Sequence, residues 1–306
     1  MEEVEDFEIA KGDLEGLMAR YDHVRRWVED FEAQHGTRPY FYGPLDRGAK
    51  SIEPRNLIYS LKPPLFAHIY KPEDDDEQGA GTTLWFGIEP VLNEEEEVIR
   101  QEIVDRLLRD APSAPSFTSD SEFEGILEGM IERMTTTSPS VIQADTVLGP
   151  AMGFLGLGES SISVTPEQLE RLKYIIIRDL VKSGPLEALL SDEMLEDIHS
   201  VGLRYINMDH KVFGMVTSNI RFRDREVLAR YLRSMSERIG RPVSDSKPII
   251  DGALLDGSRI NIIFSDDVSM LGPSFTIRKF AEETISVIQL IKWGTMSAQQ
   301  AAYIWL

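Results

Sequence analysis

The run Pro248-Ile-Ile-Asp-Gly-Ala-Leu-Leu-Asp-Gly-Ser-Arg-Ile-Asn-Ile-Ile-Phe264, followed by Gly272-Pro-Ser-Phe-Thr-Ile-Arg-Lys-Phe280, decides how this 306-residue chain is read. Ile and Phe dominate it, and Asp-Gly and Gly-Pro punctuate it. That pattern predicts strands over 248–255, 259–264 and 274–280, with turns at Asp256-Gly257 and Leu271-Gly272-Pro273. Just upstream the period changes from two to 3.6. Asp224 is placed to cap a helix whose Val227, Leu228, Tyr231, Leu232, Met235 and Ile239 face inward, and Gly240 then Pro242 end it. Arg225, Arg230, Arg233 and Arg238 fall on its other faces, as a solvated surface or as a docking face for an acidic neighbour.

Further upstream, Thr165-Pro-Glu-Gln168 reads as a capping box with proline at the first helical position. Leu169, Leu172, Ile176, Leu180 and Val181 follow at helical spacing. After Gly184-Pro185 an amphipathic piece is expected through Ile198, then strands over 203–207, 212–216 and 218–222. The first third of the chain reads as a helix over 13–35 ended by Gly36, a Pro/Gly-rich stretch over 39–54, and strands over 57–61, 65–70 and 82–88. The acidic segment 73–81 makes a hairpin connection between the last two strands. Asn93 is expected to cap a helix with Glu94–Glu97 in its first turn, where carboxylates favour the positive dipole end. Its buried stripe is read as Val98, Ile99, Ile103, Val104, Leu107 and Leu108. Residues 111–120 read as a linker, 122–134 as a short helix and 135–163 as a flexible connector. At the C-terminal end Thr284 and Ser297 each start a helix, the second through a Ser297/Gln300 capping box. That last helix stops on apolar residues, so the chain reads as truncated there.

The expected domain organisation is a helical segment at 1–50, a first α+β module at 51–112, a linker with a short helix at 113–164, a second domain at 165–281, and a hinge with the start of a third domain at 282–306. The fold class is α+β: two modules of mixed sheet flanked by helices.

Composition narrows the function. The net charge is −20, with no cysteine. Residues 1–110 hold 26 acids and 13 bases, while 203–241 hold nine bases and four acids. An acidic whole argues against general nucleic-acid binding, which needs a surplus of cations. Acidity serves solubility or adaptation to elevated salt. No run approaches the roughly 20 apolar residues of a membrane span, and Glu2, Glu3, Glu5 and Asp6 are the opposite of a basic secretory start. A cytoplasmic protein is expected. There is no GxxxxGK[ST], HExxH, GxSxG or EF-hand loop, and no metal site is expected. Gly153-Phe-Leu-Gly-Leu-Gly158 lacks the Lys and Ser/Thr of a phosphate-binding loop. The five histidines, His23, His35, His68, His199 and His210, lack ligand spacing.

Residues 174–280 resemble the N-terminal domain of the type II/IV secretion ATPase family, particularly its archaeal secretion, pilus-assembly and archaellum motor branch. The stretches that carry the resemblance are Leu186-Glu-Ala-Leu-Leu-Ser-Asp192, Leu195-Glu-Asp-Ile198, Gly214-Met-Val-Thr-Ser-Asn-Ile-Arg-Phe222, and the two runs quoted above. The tail, Leu290-Ile-Lys-Trp-Gly-Thr-Met-Ser297 and Ala301-Ala-Tyr-Ile-Trp-Leu306, looks like the entry to the family's RecA-like motor domain. Residues 54–110 look like the earlier N-terminal module, and 1–50 match nothing in the family. The resemblance implies a homo-hexameric ring that docks on a polytopic membrane platform protein at the inner face of the cell membrane. It implies ATP, with Mg, held by a motor domain missing from this chain, which would be inactive alone without Walker A and B. Two family arginines that approach the nucleotide phosphates match Arg259 and Arg278, with Lys279 and Asn261 as weaker neighbours. A guanidinium is permanently charged and its fork fits phosphate oxygens. Pairing with a local acid such as Asp256 or Asp266 is the structural alternative for either arginine. Two other functions stay open: a stand-alone interaction or regulatory module with no nucleotide role, and, on abundance of Asp and Glu alone, a carboxylate-using enzyme.

Overall fold

The computed structural model describes residues 12–72, 82–113, 115–137, 161–254, 256–265, 268–280, 286–292 and 294–305. In chain order these form α1 Leu14–Arg20, α2 Asp22–His35, β1 Tyr40–Gly43, β2 Asn56–Ser60, β3 Phe66–Tyr70, β4 Thr83–Ile88, α3 Glu94–Asp110, α4 Asp120–Met134, β5 Thr135–Thr137, β6 Ile162–Val164, α5 Pro166–Leu180, α6 Glu187–Ser191, β7 Leu195–Val201, β8 Asn207–His210, β9 Gly214–Ser218, α7 Arg225–Arg238, β10 Ile249–Ala253, β11 Arg259–Ile263, β12 Ser274–Arg278, α8 Val287–Lys292 and α9 Ala298–Trp305. The class is mixed α+β. The chain divides into two units, one of Met1–Met194 with Val212–Ile220, the other of Leu195–Lys211 with Arg221–Leu306.

In the first unit the strands run β1-β2-β3-β4-β9. The two outer pairings, β1 with β2 and β4 with β9, are parallel, and the inner ones are antiparallel. Leu17, Val24 and Val28 of α1 and α2 cluster with Phe41, Ile58, Phe66 and Ile88 of the strands. A second core joins Ile103 and Leu107 of α3 to Leu127 and Ile131 of α4 and to Leu172 and Ile176 of α5. Each such fully buried side chain contributes about 1.5–3 kcal/mol of transfer free energy.

Two buried carboxylates hold these layers in register. Asp192, just past α6, is 1% exposed. It accepts from the Tyr59 hydroxyl, from Trp85 Nε1 at 2.9 Å and from the Met194 backbone N–H at 2.9 Å. Burial first, and then the Asp192 charge, push the Tyr59 hydroxyl well above its ordinary range, so it stays a donor. Glu96 is also 1% exposed. It closes the α3 capping box with Asn93 and pairs with Arg171 of α5.

The second unit is antiparallel throughout, in the order β8-β7-β12-β11-β10. Alternate residues Ile198, Met208, Ile250, Ile260, Ile262, Phe275 and Ile277 are buried, as are Leu228, Leu232 and Met235 of α7. Where α7 ends, Ile239 lies directly against Gly252. A Cβ at that position would come within 2.5 Å of the Ile239 Cδ1, so any side chain there displaces the tip of Ile239.

Several expectations are corrected. The helix over 13–35 is two helices, because Tyr21 is extended, with φ −123° and ψ 101°. Its ring makes an edge contact with Phe66, and Asp22 restarts the helix through ion pairs to Arg25 and Arg26. On α3, Val98 and Leu108 are exposed, while Glu96 and Arg106 are buried in their place. The amphipathic piece expected through Ile198 is two elements, a short helix that stops at Ser191 and the start of β7, to which Ile198 belongs. The strands read over 203–207, 212–216 and 218–222 are two, β8 and β9. β1 lies inside the stretch read only as Pro/Gly-rich. The Asp224 and Asn93 caps, the Thr165 and Ser297 capping boxes and strands β10 to β12 form where the sequence places them, and Glu96 closes a further box at Asn93. The 73–81 connection, Gly153 to Gly158 and Thr284 lie outside the described residues.

Candidate functional site

One face of the second unit's sheet packs apolar residues, and the other is polar. Strand alternation puts residues of one parity on each face, and the burial pattern follows it: Ile260, Ile262, Phe275 and Ile277 are buried, whereas Arg259, Asn261, Thr276 and Arg278 are not. Register then builds two rows across the polar face. The first is Ala253, Arg259, Arg278, Asp197 and Asp209; the second is Asp251, Asn261, Thr276, His199 and Asn207.

Arg259 and Arg278 are therefore direct cross-strand partners, a relation that puts side chains about 5 Å apart at their bases. Their surroundings differ. Arg278 sends Nε to Asp197 Oδ1 at 2.9 Å and Nη2 to Oδ2 at 3.1 Å, a bidentate fork. Its side chain is still 74% exposed, while Asp197 is 20% exposed. The hydrogen bonds from Arg278 hold the Asp197 carboxyl below the usual carboxylate range. Arg259 is exposed and has no hydrogen-bond or ion-pair partner among the described residues.

Of the two local acids expected as alternative partners, only Asp256 is among the described residues, and it is engaged elsewhere. Asp256 accepts from the Ser258 N–H and hydroxyl at 2.9 and 2.7 Å, closing the turn before β11. Asp266 lies outside the described residues. Asn261 shares the arginines' face and donates to Asp251 Oδ1 at 2.9 Å. Lys279 falls out of phase with Arg278, its N–H extending the ladder to the Glu196 carbonyl at 2.8 Å.

Sequence spacing missed His199. It lies two residues after Asp197 on β7, and Asp209 faces Asp197 from β8. The ligating atoms of the three lie within 4.8 Å of one another. His199 Nε2 is 3.7 Å from Asp209 Oδ2, and Nδ1 is 3.4 Å from the Thr276 hydroxyl. The group has the donors for a divalent cation, but a cation there takes Asp197 from Arg278 and meets the charge of both arginines.

The opposite side of the sheet carries a separate cleft of about 360 Å³ between α7 and the side that holds Asp245, Phe264, Ser265 and Pro273. Arg225 and Arg233 line it together with Glu226 and Asp245, so its charges balance. Arg233 stacks over the Phe264 ring at 4.9 Å, and Arg221 over Tyr205 at 5.1 Å. These basic side chains are partly engaged with aromatic rings rather than wholly solvated. No helix among the described residues is long and apolar enough to cross a membrane.

No family model matches the chain. The uncharacterized protein MJ0900 of Methanocaldococcus jannaschii is 40% identical over 299 residues, 97% of this chain and 52% of that protein. The chain thus spans about half the length of that relative. Two further uncharacterized proteins of the same organism match shorter stretches. MJ0781 is 34% identical over 45% of this chain and 19% of its own length, and MJ1288 is 35% identical over 32% and 40%. Among solved structures, the VirB11 ATPase from the Brucella suis type IV secretion system, in complex with sulphate, aligns with 38% of this chain and 34% of its own. The sequence identity there is 18% and the TM-score 0.31.

Proposed function

We propose that this chain is the N-terminal, non-catalytic region of a secretion-, pilus- or archaellum-type assembly ATPase, and that the polar sheet face of its second unit closes over ATP held by another domain. The observation that carries this reading is the pairing of Arg259 with Arg278 on facing strands, both exposed, with no ionic partner for Arg259 among the described residues. The motifs that resemble the family, Asp256-Gly-Ser-Arg-Ile-Asn261 and Thr276-Ile-Arg-Lys-Phe280, supply these same two side chains. Two adjacent guanidinium forks offer up to ten N–H donors to the oxygens of a β,γ-phosphate pair, and they stabilise charge that builds there during transfer. Asn261 stands beside them as a neutral polar contact. Lys279, out of phase, is a weaker participant. Hexamer formation, Mg carried with the nucleotide and docking to a membrane platform protein belong to the same proposal.

The test uses the longer protein that joins this chain to a nucleotide-binding domain. Arg259→Ala and Arg278→Ala are each expected to lower ATP turnover by about 10²-fold, with the ring assembled as in the unaltered protein. Unaltered turnover in both variants rejects the reading. The present chain by itself is expected to show no ATP hydrolysis.

A second reading, an interaction module with no nucleotide role, is favoured by the loop before β12, where Met270 is 97% and Leu271 50% exposed. Loss of partner binding on Met270→Ser, with turnover indifferent to both arginines, selects it.

A further inference from the structure

The geometry points to Asp197 as the resting partner of Arg278, a positioning residue that holds the guanidinium against the sheet and gives it up when a phosphate chain arrives. This inference rests on the phosphate-binding reading of the face and adds the regulation of that site. Asp197 and Arg278 are register partners on β7 and β12, and the two N–H groups on one edge of the guanidinium, at Nε and Nη2, are taken by the two carboxylate oxygens. A phosphate group offers the same two-oxygen geometry with more charge, so exchange from Asp197 to phosphate replaces like with like. The pair is built to be exchangeable: Arg278 is 74% exposed, so its long side chain can leave without disturbing the core. Arg259, across the strand pair, has no such holder among the described residues. The two arginines therefore have separate roles. Arg259 meets the anion first, and Arg278 transfers second, which makes the engaged state conditional on a ligand strong enough to compete with Asp197. A ligand whose binding-competent state is only a fraction of the population binds more weakly by that fraction. Asp197 sets the fraction.

The experiment titrates inorganic tripolyphosphate into the chain by calorimetry, and follows the side-chain Nε–H signals of Arg259 and Arg278 by NMR. Without ligand, the Arg278 Nε–H is expected to exchange slowly with water and the Arg259 Nε–H rapidly. Asp197→Asn is expected to abolish that difference and to tighten tripolyphosphate binding by about two- to five-fold, the scale of one exposed ion pair. Arg259→Gln and Arg278→Gln are expected to weaken it. Asp197→Asn combined with Arg278→Gln is expected to bind as Arg278→Gln alone, since nothing remains to be released. Asp209→Asn removes a neighbouring negative charge that does not touch the fork. Equal tightening by Asp209→Asn overturns the inference, as does an unchanged affinity in Asp197→Asn while the arginine variants weaken binding. Binding that is absent, or indifferent to both arginines, overturns the phosphate-binding reading itself. Thermal melts of each variant, with Asp197→Ser as a second replacement, separate these outcomes from misfolding.

Discussion

His68 has no exposed surface and is ringed by Trp27, Phe31, Tyr70 and Phe86, with ring centroids 4.5–6.3 Å away. The Trp27 indole can only donate, so its Nε1–H at 3.2 Å makes His68 Nδ1 the acceptor. Nε2 then carries the proton and donates to Asn56 Oδ1 at 2.7 Å. A second proton has no place to go. Burial, and to a lesser degree the charge of His35, lower the pKa from 6.5 to about 3. The folded state thus refuses a proton that the unfolded chain accepts below pH 6.5. The stability this neutral histidine contributes is complete above pH 6.5 and is lost on acidification toward about pH 3, with a slope of about 1.4 kcal/mol per pH unit. His68→Gln, which keeps one donor and one acceptor, is expected to remove that slope between pH 6.5 and 4.5 while costing stability at pH 7. Urea unfolding at several pH values measures both, and parallel profiles for the two proteins contradict the assignment. At this scale the sequence located Arg259 and Arg278 but not their surroundings. Asp197 lies 81 positions before Arg278, and only strand register brings them together. His199 was passed over for the same reason, since its neighbour Asp209 sits on another strand.

At the scale of elements, α3 shows how one residue can belong to a local signal and a tertiary one. Asn93 Oδ1 accepts from the Glu96 N–H at 2.8 Å, and Glu96 Oε2 accepts from the Asn93 N–H at 3.0 Å. The other Glu96 oxygen takes Arg171 of α5. Cap and inter-helix tie are thus one side chain, buried to 1% exposure. Glu96→Ala breaks both and leaves Arg171 uncompensated at 20% exposure, so a loss of about 3 kcal/mol is expected. Glu96→Gln keeps the cap geometry and forfeits only the charge, so it is expected to lose roughly half as much. Equal losses in the two variants, measured by chemical denaturation, would show that the cap contributes nothing. The Asn93 cap was legible because it is a local signal, an Asn set directly before a run of glutamates. That Glu96 alone of four consecutive glutamates turns inward was not, since it depends on Arg171, 75 residues away. The same division holds elsewhere. Strands β10 to β12 and α7 follow local periods and turn residues, and they form where expected. The break at Tyr21 follows from a ring that packs on Phe66, and β1 follows from pairing with β2. Neither contact leaves a periodic trace in the sequence.

For the whole molecule, the unit boundaries follow strand pairing rather than chain order. The chain leaves the first unit after Met194, and residues 212–220 return to it. In that return β9 pairs in parallel with β4, with Thr83 opposite Val216 and Trp85 opposite Ser218, and the Asn219 N–H reaches the Trp85 carbonyl at 3.2 Å. Val212, Phe213 and Val216 are buried, and Phe213 also carries the Arg55 guanidinium over its ring at 5.5 Å. A chain ending at Met194 therefore keeps every helix of the first unit yet exposes one edge of β4, the strand that bears the buried Trp85. Unpaired edges present a row of free N–H and C=O groups and invite association. Three buried apolar side chains at about 1.5–3 kcal/mol each put the lost stabilisation near 6 kcal/mol, comparable to the whole stability of many domains. The fragment is expected to unfold at lower urea and to associate, and a peptide spanning residues 212–220 added in trans is expected to raise its midpoint in a concentration-dependent way, as any ligand of the folded state does. A fragment as stable as the intact chain and indifferent to the peptide would mean that β9 is an accessory to the first unit rather than part of its sheet. Residues 195–211, which carry Asp197, His199 and Asp209, are bounded on both sides in the chain by segments of the first unit, so a cut after Met194 separates them from it.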